Sequence, residues 1–308
     1  MKARKRKDLI SILDLTKGEI YEILSLAAAL KERLAKGIHF TPLTGKTLAM
    51  IFEKPSLRTR VTFETGMTQL GGHAIYLGPT DIKMGVRESV ADTAKNLERL
   101  VDGILARTFA HDSVVALARE ASIPVINGLT DRLHPCQVLS DCFAIHQRLG
   151  SLSGVKVAFL GDGNNVVHSW LYAAARLGMC FSLACPPRYE PLPEIVSEAR
   201  AEGGADICVT HDIAEALEDA DVVYTDVWTS MGQEEEAENR RKVFAAYQLN
   251  KAALALARPN ALVMHCLPAH RGKEITDEVI DGPQSIVFEQ AESRLHVQKA
   301  ILTLLMAE

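Results

Sequence analysis

The chain has 308 residues, 47% of them apolar and 24% charged, an ordinary globular composition with length for about two domains. Its net charge of −5 and isoelectric point near 6.1 give no global basic field, so nucleic acid is not an expected partner and any acidic ligand must be bound locally. No apolar run approaches the roughly 20 residues of a membrane span, and the basic opening Met1-Lys2-Ala3-Arg4-Lys5-Arg6-Lys7 leads into no signal-like apolar stretch, so a cytoplasmic protein without a membrane partner is expected.

Helix comes first. Thr16-Lys17-Gly18-Glu19 has the capping-box form, and Ile20, Ile23, Leu24, Ala27 and Leu30 follow at helical spacing. Thr47–Phe52 reads as a buried strand, and 61–70 as a helix stopped by Gly71-Gly72. Between them, Phe52-Glu53-Lys54-Pro55-Ser56-Leu57-Arg58-Thr59-Arg60 sets two arginines and two hydroxyls on a first helical turn. Unpaired N–H groups and the helix dipole favour negative charge there, and the planar Arg fork grips phosphate or carboxylate bidentately. The plain alternative for the same arginines is a set of surface ion pairs.

Further strands are expected at His73–Leu77, Gly103–Arg107 and 124–127, with helices between them, notably 89–101. A helical pattern over 136–149 runs into Gly150, Ser151, Ser153 and Gly154, and the domain boundary is placed there. The alternation restarts with strand 155–160, helix Asn165–Leu177 and strands 179–185, 207–210, Val222–Thr225 and Leu262–His265. The last pattern, 291–306, is helical. This is an α/β chain of parallel sheets, in which ligands bind outside the carboxyl ends of strands. Arg107, 162–165, 226–233 and 265–272 occupy such ends.

His134-Pro135-Cys136-Gln137 opens a helix, where His and Gln could reach one ligand together. Gly161-Asp162-Gly163-Asn164-Asn165-Val166 invites a dinucleotide reading, but Val166 holds the third glycine position and the next strand ends in Cys185-Pro186 without an acidic residue. Asp162 and Asn165 instead suit a small polar substrate. Cys136, Cys142, Cys180, Cys185, Cys208 and Cys266 show neither a CxxC pair nor zinc spacing, so reduced thiols and no metal are expected.

Taken together, Ser56-Leu57-Arg58-Thr59-Arg60, Arg107, His134-Pro135-Cys136-Gln137, Asp226-Val227-Trp228-Thr229-Ser230-Met231-Gly232 and His265-Cys266-Leu267-Pro268 resemble the aspartate/ornithine carbamoyltransferase superfamily, and within it the ornithine carbamoyltransferases. The match runs in order over nearly the whole chain. It implies two doubly wound parallel-sheet domains with the active site in the cleft between them: 1–150 for carbamoyl phosphate, 151–290 for ornithine, and 291–308 as a helix returning to the first domain. The implied reaction moves the carbamoyl group to the side-chain amine of L-ornithine, giving L-citrulline and phosphate in arginine biosynthesis, with no cofactor.

The resemblance also implies roles. Ser56, Leu57 (through its backbone), Arg58, Thr59 and Arg60 would surround the phosphate, and Arg107 would bridge to the carbamoyl group. His134 would polarise the carbonyl, Gln137 would accept from the carbamoyl amide, and Arg294 would reach the same group. Asn165, Asp226, Ser230 and the Met231 backbone would hold the α-amino and α-carboxylate groups of ornithine. Cys266, beside the Leu267 carbonyl, would receive and orient the attacking amine with Asp226, and both Cys266 and Leu267 would border the carbamoyl phosphate. A cis Leu267–Pro268 bond and a mobile lid over 229–238 are implied as well. Lys83 stands where many members carry a Gln that reaches a neighbouring subunit's site, so a homotrimer with active sites near subunit interfaces is expected. Ser-Met-Gly separates this pattern from relatives that use aspartate, putrescine or acylated ornithine.

Overall fold

The computed structural model describes residues 8–230, 232 and 234–307; the basic run 1–7 and Met231 lie outside them. The chain forms two compact units, one of residues up to Phe143 together with those from Ser293 onward, the other Ala144–Glu292. Both dividing points fall inside helices, Pro135–Leu149 and Val287–Met306.

In the first unit, β1 (Thr47–Phe52), β2 (His73–Leu77), β3 (Gly103–Arg107) and β4 (Val125–Leu129) make a parallel sheet in the order β2-β1-β3-β4. β1 and β3 are central and buried along almost their whole length, which is why they read as continuous apolar runs; β2, an edge strand, is partly exposed. The chain leaves β1 toward β2 and returns on the other side as β3, so the order reverses between β1 and β3. Register pairs Phe52 with Arg107, and the Glu53 N–H donates to the Arg107 carbonyl at 2.8 Å. The Arg107 side chain thus leaves the sheet level with the segment that leads into helix Leu57–Gln69.

The second unit repeats the plan with β5 (Lys156–Leu160), β6 (Cys180–Ala184), β7 (Asp206–Thr210), β8 (Val222–Thr225) and β9 (Leu262–His265), ordered β7-β6-β5-β8-β9 and all parallel. Here the order reverses between β5 and β8, and open α/β sheets bind ligands at such reversals. Helix Asn165–Leu177 covers this sheet, its buried Trp170 lying 6.3 Å from the Phe181 ring and 6.0 Å from that of Tyr224. Each such aromatic contributes about 2–3 kcal/mol by leaving water.

Local sequence sets the ends of the helices. Thr16 and Glu19 form the expected capping box, and Ser56 Oγ accepts from the Thr59 N–H at 3.2 Å to start helix Leu57–Gln69. The expected helix 89–101 stops at Leu97, because the chain must turn through Arg99 to Val101 before Asp102 N–H meets the Thr47 carbonyl at the head of β1. The last helix starts earlier than expected, at Val287, and buries Val297, Ala300, Ile301 and Leu302. Its end packs on the first sheet, where a Cβ on Gly103 would lie 3.0 Å from Met306 Sδ. Among the described residues, no helix is long and apolar enough to cross a membrane.

Candidate active site

At the reversal of the first sheet, buried cations gather around one histidine. Arg107, His134 and Arg294 are almost fully buried, and Thr59 and Gln137 are buried with them. Arg294 donates from Nη1 to Gln137 Oε1 at 3.0 Å and from Nη2 to Thr59 Oγ1 at 2.9 Å. Gln137 in turn donates to Asp141 Oδ1 at 2.8 Å, which fixes the direction of its amide. Burial, then the charges of Arg294, Arg107 and Arg58, hold the His134 imidazole well below its ordinary pKa. His134 is therefore neutral at pH 7, set among three permanent cations. That combination suits a compact anion carrying a carbonyl.

Other residues of the expected phosphate cluster lie differently. Ser56 spends its hydroxyl oxygen on the helix cap. Leu57 is exposed, and Arg60, also exposed, donates to Glu64 at 2.9 Å while its guanidinium lies 3.9 Å from the Tyr76 ring centroid. Arg60 thus takes up a surface ion pair. Lys83 is exposed, its carbonyl accepting from Val86 and Arg87 N–H groups in the turn after β2. Lys54, which no sequence motif singles out, is buried, paired with Asp131 and lies 4.2 Å from the Phe109 ring centroid.

The reversal of the second sheet has the opposite character. Asn164 caps helix Asn165–Leu177 by accepting from the Val166 and Val167 N–H groups, and its Nδ2 donates to Asp226 Oδ2 at 3.0 Å. The other carboxylate oxygen, Oδ1, accepts from the Val227 N–H at 2.7 Å and from Cys266 Sγ at 2.9 Å. Asp226 and Cys266 are thus brought together as expected, while the residue joined to them is Asn164 rather than Asn165, which begins the helix beside it. Ser230 is half-buried, and Met231 lies outside the described residues, as does part of the expected lid; 234–236 form a short 3-10 turn before helix Ala237–Phe244. All six cysteines are free; burial pushes Cys136 and Cys185 up to about 12, which makes them packing groups, whereas half-buried Cys266 faces a carboxylate.

Asp226, His265 and Cys266 place ligand-type atoms within 4.8 Å of one another. They do not fit a cation. His265 Nδ1 accepts from the Leu267 N–H at 2.8 Å, which puts the ring proton on Nε2, and Nε2 donates to Glu274 Oε1 at 3.1 Å. Neither nitrogen has a lone pair to give. Burial alone would raise the Glu274 carboxyl, but hydrogen bonds from His265 and the His270 N–H hold it below its ordinary value. The buried pair instead anchors Leu267, which has φ +56° before a cis Leu267–Pro268 bond.

The glycine pair after β5 is closed to a dinucleotide. A Cβ on Gly163 would lie 2.3 Å from Pro191 N, and the Gly163 N–H donates to the Tyr189 carbonyl at 2.8 Å, so backbone already fills the space where a pyrophosphate would approach. Asp162, expected to meet substrate, is taken instead by Arg240, whose Nη1 donates to it at 2.8 Å and to the Trp228 carbonyl at 3.1 Å. The residues that hold these groups and that the sequence motifs do not single out are thus Asn164, Glu274, Arg240 and Asp141. Asn164 alone carried a usable signal, an Asn directly before a helix.

Residues 7–147 match the family description "Aspartate/ornithine carbamoyltransferase, carbamoyl-P binding domain", and residues 153–305 match "Aspartate/ornithine carbamoyltransferase, Asp/Orn binding domain". The chain belongs to the aspartate/ornithine carbamoyltransferase family. It is 53% identical over 305 residues to an ornithine carbamoyltransferase of Anoxybacillus flavithermus, covering 98% of this chain and 97% of that one. It is 51% identical to one from Pyrococcus abyssi, covering 98% and 96%. Among solved structures, the ornithine carbamoyltransferase of Pyrococcus furiosus superposes with a TM-score of 0.94 at 50% identity, covering 97% of each chain, and that of Thermus thermophilus with 0.89 at 45%, covering 98% and 99%. The two sheets with helices on them and the helix returning to the first unit are the family's architecture in this chain.

Proposed function

We propose that the chain transfers the carbamoyl group of carbamoyl phosphate to the side-chain amine of L-ornithine, giving L-citrulline and phosphate, as a cytoplasmic enzyme of arginine biosynthesis. The observation that carries the reading is the pair of sheet reversals: neutral His134 among Arg58, Arg107 and Arg294 in one half, and Asp226 bonded to Asn164 and Cys266 in the other. Both lie in a chain whose full-length relatives at about half identity bear the name ornithine carbamoyltransferase.

Carbamoyl phosphate belongs to the first half, 1–150. Arg58, with Ser56, Thr59 and the Leu57 backbone at the helix start, faces the phosphate; Arg107 and Arg294 span to the carbamoyl oxygen, and Gln137 Oε1 keeps a second lone pair for the carbamoyl amide. Neutral His134 polarises the carbonyl by donating a hydrogen bond, and the arginines stabilise the oxyanion that forms as the amine adds. When the tetrahedral intermediate collapses, the C–O bond to phosphate breaks and the dianion leaves into fixed positive charge.

Ornithine belongs to 151–290, its α-amino and α-carboxylate groups held by Asp226, Asn165, Ser230 and the Met231 backbone. Its attacking amine must be neutral, against a solution pKa of about 10. Cys266, tied to Asp226, and the Leu267 carbonyl orient that amine, and the proton lost on addition passes toward this set. Holding both reactants supplies several kcal/mol of the barrier as orientation. The homotrimer, with Lys83 directed to a neighbouring subunit's site, is part of the same reading. A panel of amines with carbamoyl phosphate tests it. Citrulline and phosphate should form together with ornithine, and turnover confined to aspartate, putrescine or acetylornithine would refute it.

A further inference from the structure

Arg294 has a third holder that the reaction scheme does not use. Gln298 lies one turn on in helix Val287–Met306, on the face it shares with Arg294, and is fully buried. Its amide has one orientation compatible with its neighbours. Thr62 Oγ1 donates its proton to the Arg58 carbonyl at 2.6 Å, so it offers Gln298 a lone pair, and the amide nitrogen must face Thr62. The amide oxygen then accepts from Arg294 Nη2 at 3.1 Å and from Nε at 3.2 Å. In the reverse orientation the oxygen would face only acceptors and the nitrogen only donors.

Three neutral oxygens, from Gln137, Thr59 and Gln298, therefore hold the Arg294 fork. A carboxylate at position 298 would hold it more strongly, but would also spend its charge. Through Thr62, Gln298 is joined to the helix start that carries Arg58 and Thr59, so one amide ties both flanks of the cationic pocket.

We infer that Gln298 is a positioning residue for carbamoyl phosphate: its amide fixes the direction of Arg294 while leaving the guanidinium charge available to the bound anion. The inference rests on the placement of carbamoyl phosphate beside Arg294 given above. The test measures carbamoyl phosphate affinity by calorimetry, KM for each substrate, kcat and thermal stability in the wild type and in Arg294→Met, Gln298→Met and Gln298→Glu. Wild type should bind carbamoyl phosphate and Arg294→Met should weaken it; failure of either overturns the placement and the inference with it. Given both, Gln298→Met should weaken carbamoyl phosphate roughly tenfold, the scale of one charge-assisted hydrogen bond, with KM for ornithine unchanged. Gln298→Glu should weaken it at least as much while the protein still folds, since the bond to Arg294 is kept and strengthened, its charge is cancelled, and the lost amide donor is offset if the Thr62 hydroxyl turns to donate to the carboxylate. Wild-type affinity in a folded Gln298→Glu, or equal effects on both substrates in Gln298→Met, would overturn the inference while leaving the placement intact. Should Gln298→Met not fold, Gln298→Glu decides alone.

Discussion

The two sheets share one topology and hold opposite chemistry at the same topological place. Where β1 and β3 part, the side chains are three arginines around a neutral histidine; where β5 and β8 part, they are a carboxylate, an amide and a thiol bonded to one another. The fold therefore fixes where a ligand goes, and the side chains fix which. On the proposed reading, the first crevice holds an anion and releases it as a leaving group, and the second accepts hydrogen bonds from an amine.

The sharpest break in the comparison should come from Cys266. Cys266→Ala removes the group bonded to Asp226 at the amine-receiving end, so kcat should fall about a hundredfold, within the usual range for a positioned proton-handling group, with little change in carbamoyl phosphate binding. Single-turnover kinetics would check it, and normal turnover would make the thiol a packing group. Next, Arg58→Ala should weaken carbamoyl phosphate about tenfold or more by removing a charge-assisted contact. Asn164→Ala should raise KM for ornithine several-fold, because Asp226 loses a partner, and should cost about 1 kcal/mol of stability as the helix loses its cap. Urea unfolding beside steady-state kinetics separates the two effects.

The smallest effect concerns pH. His134 is held neutral in the folded chain, with a pKa well below the value of about 6.5 it has when unfolded. Between those two values the unfolded chain binds the extra proton, so this residue's contribution is complete above about pH 6.5 and is lost as pH falls below it. His134→Gln should flatten the decline in urea midpoint between pH 7.5 and 5.5, and an unchanged slope would show that other groups set it.

Much of this was legible because parallel strands buried on both faces are short apolar runs, and the residues that follow them are where ligands go. Ser56, Arg107, His134, Asp226 and Cys266 could be placed on that ground. What stayed hidden depends on contacts across the sheet. Glu274 reaches His265 from nine residues on, and Arg240 reaches Asp162 over 78 positions, with no periodic pattern to announce either. Gln298 and Asp141 sit inside helical patterns and read as ordinary helix residues. Helix Pro193–Ala201 leaves little mark on the sequence because it buries only Ile195 and Ala199, too thin a stripe to stand out. Arg60 carried a signal against its phosphate role: Glu64, four residues on, is the spacing of a helical ion pair.

The central claim is that the two reversals divide the substrates between them. Calorimetric titration of carbamoyl phosphate into wild type, Arg58→Ala and Asp226→Asn tests it most directly. Binding should be weakened about tenfold or more in Arg58→Ala and remain at the wild-type level in Asp226→Asn. Equal losses in both variants, or a loss confined to Asp226→Asn, would contradict it.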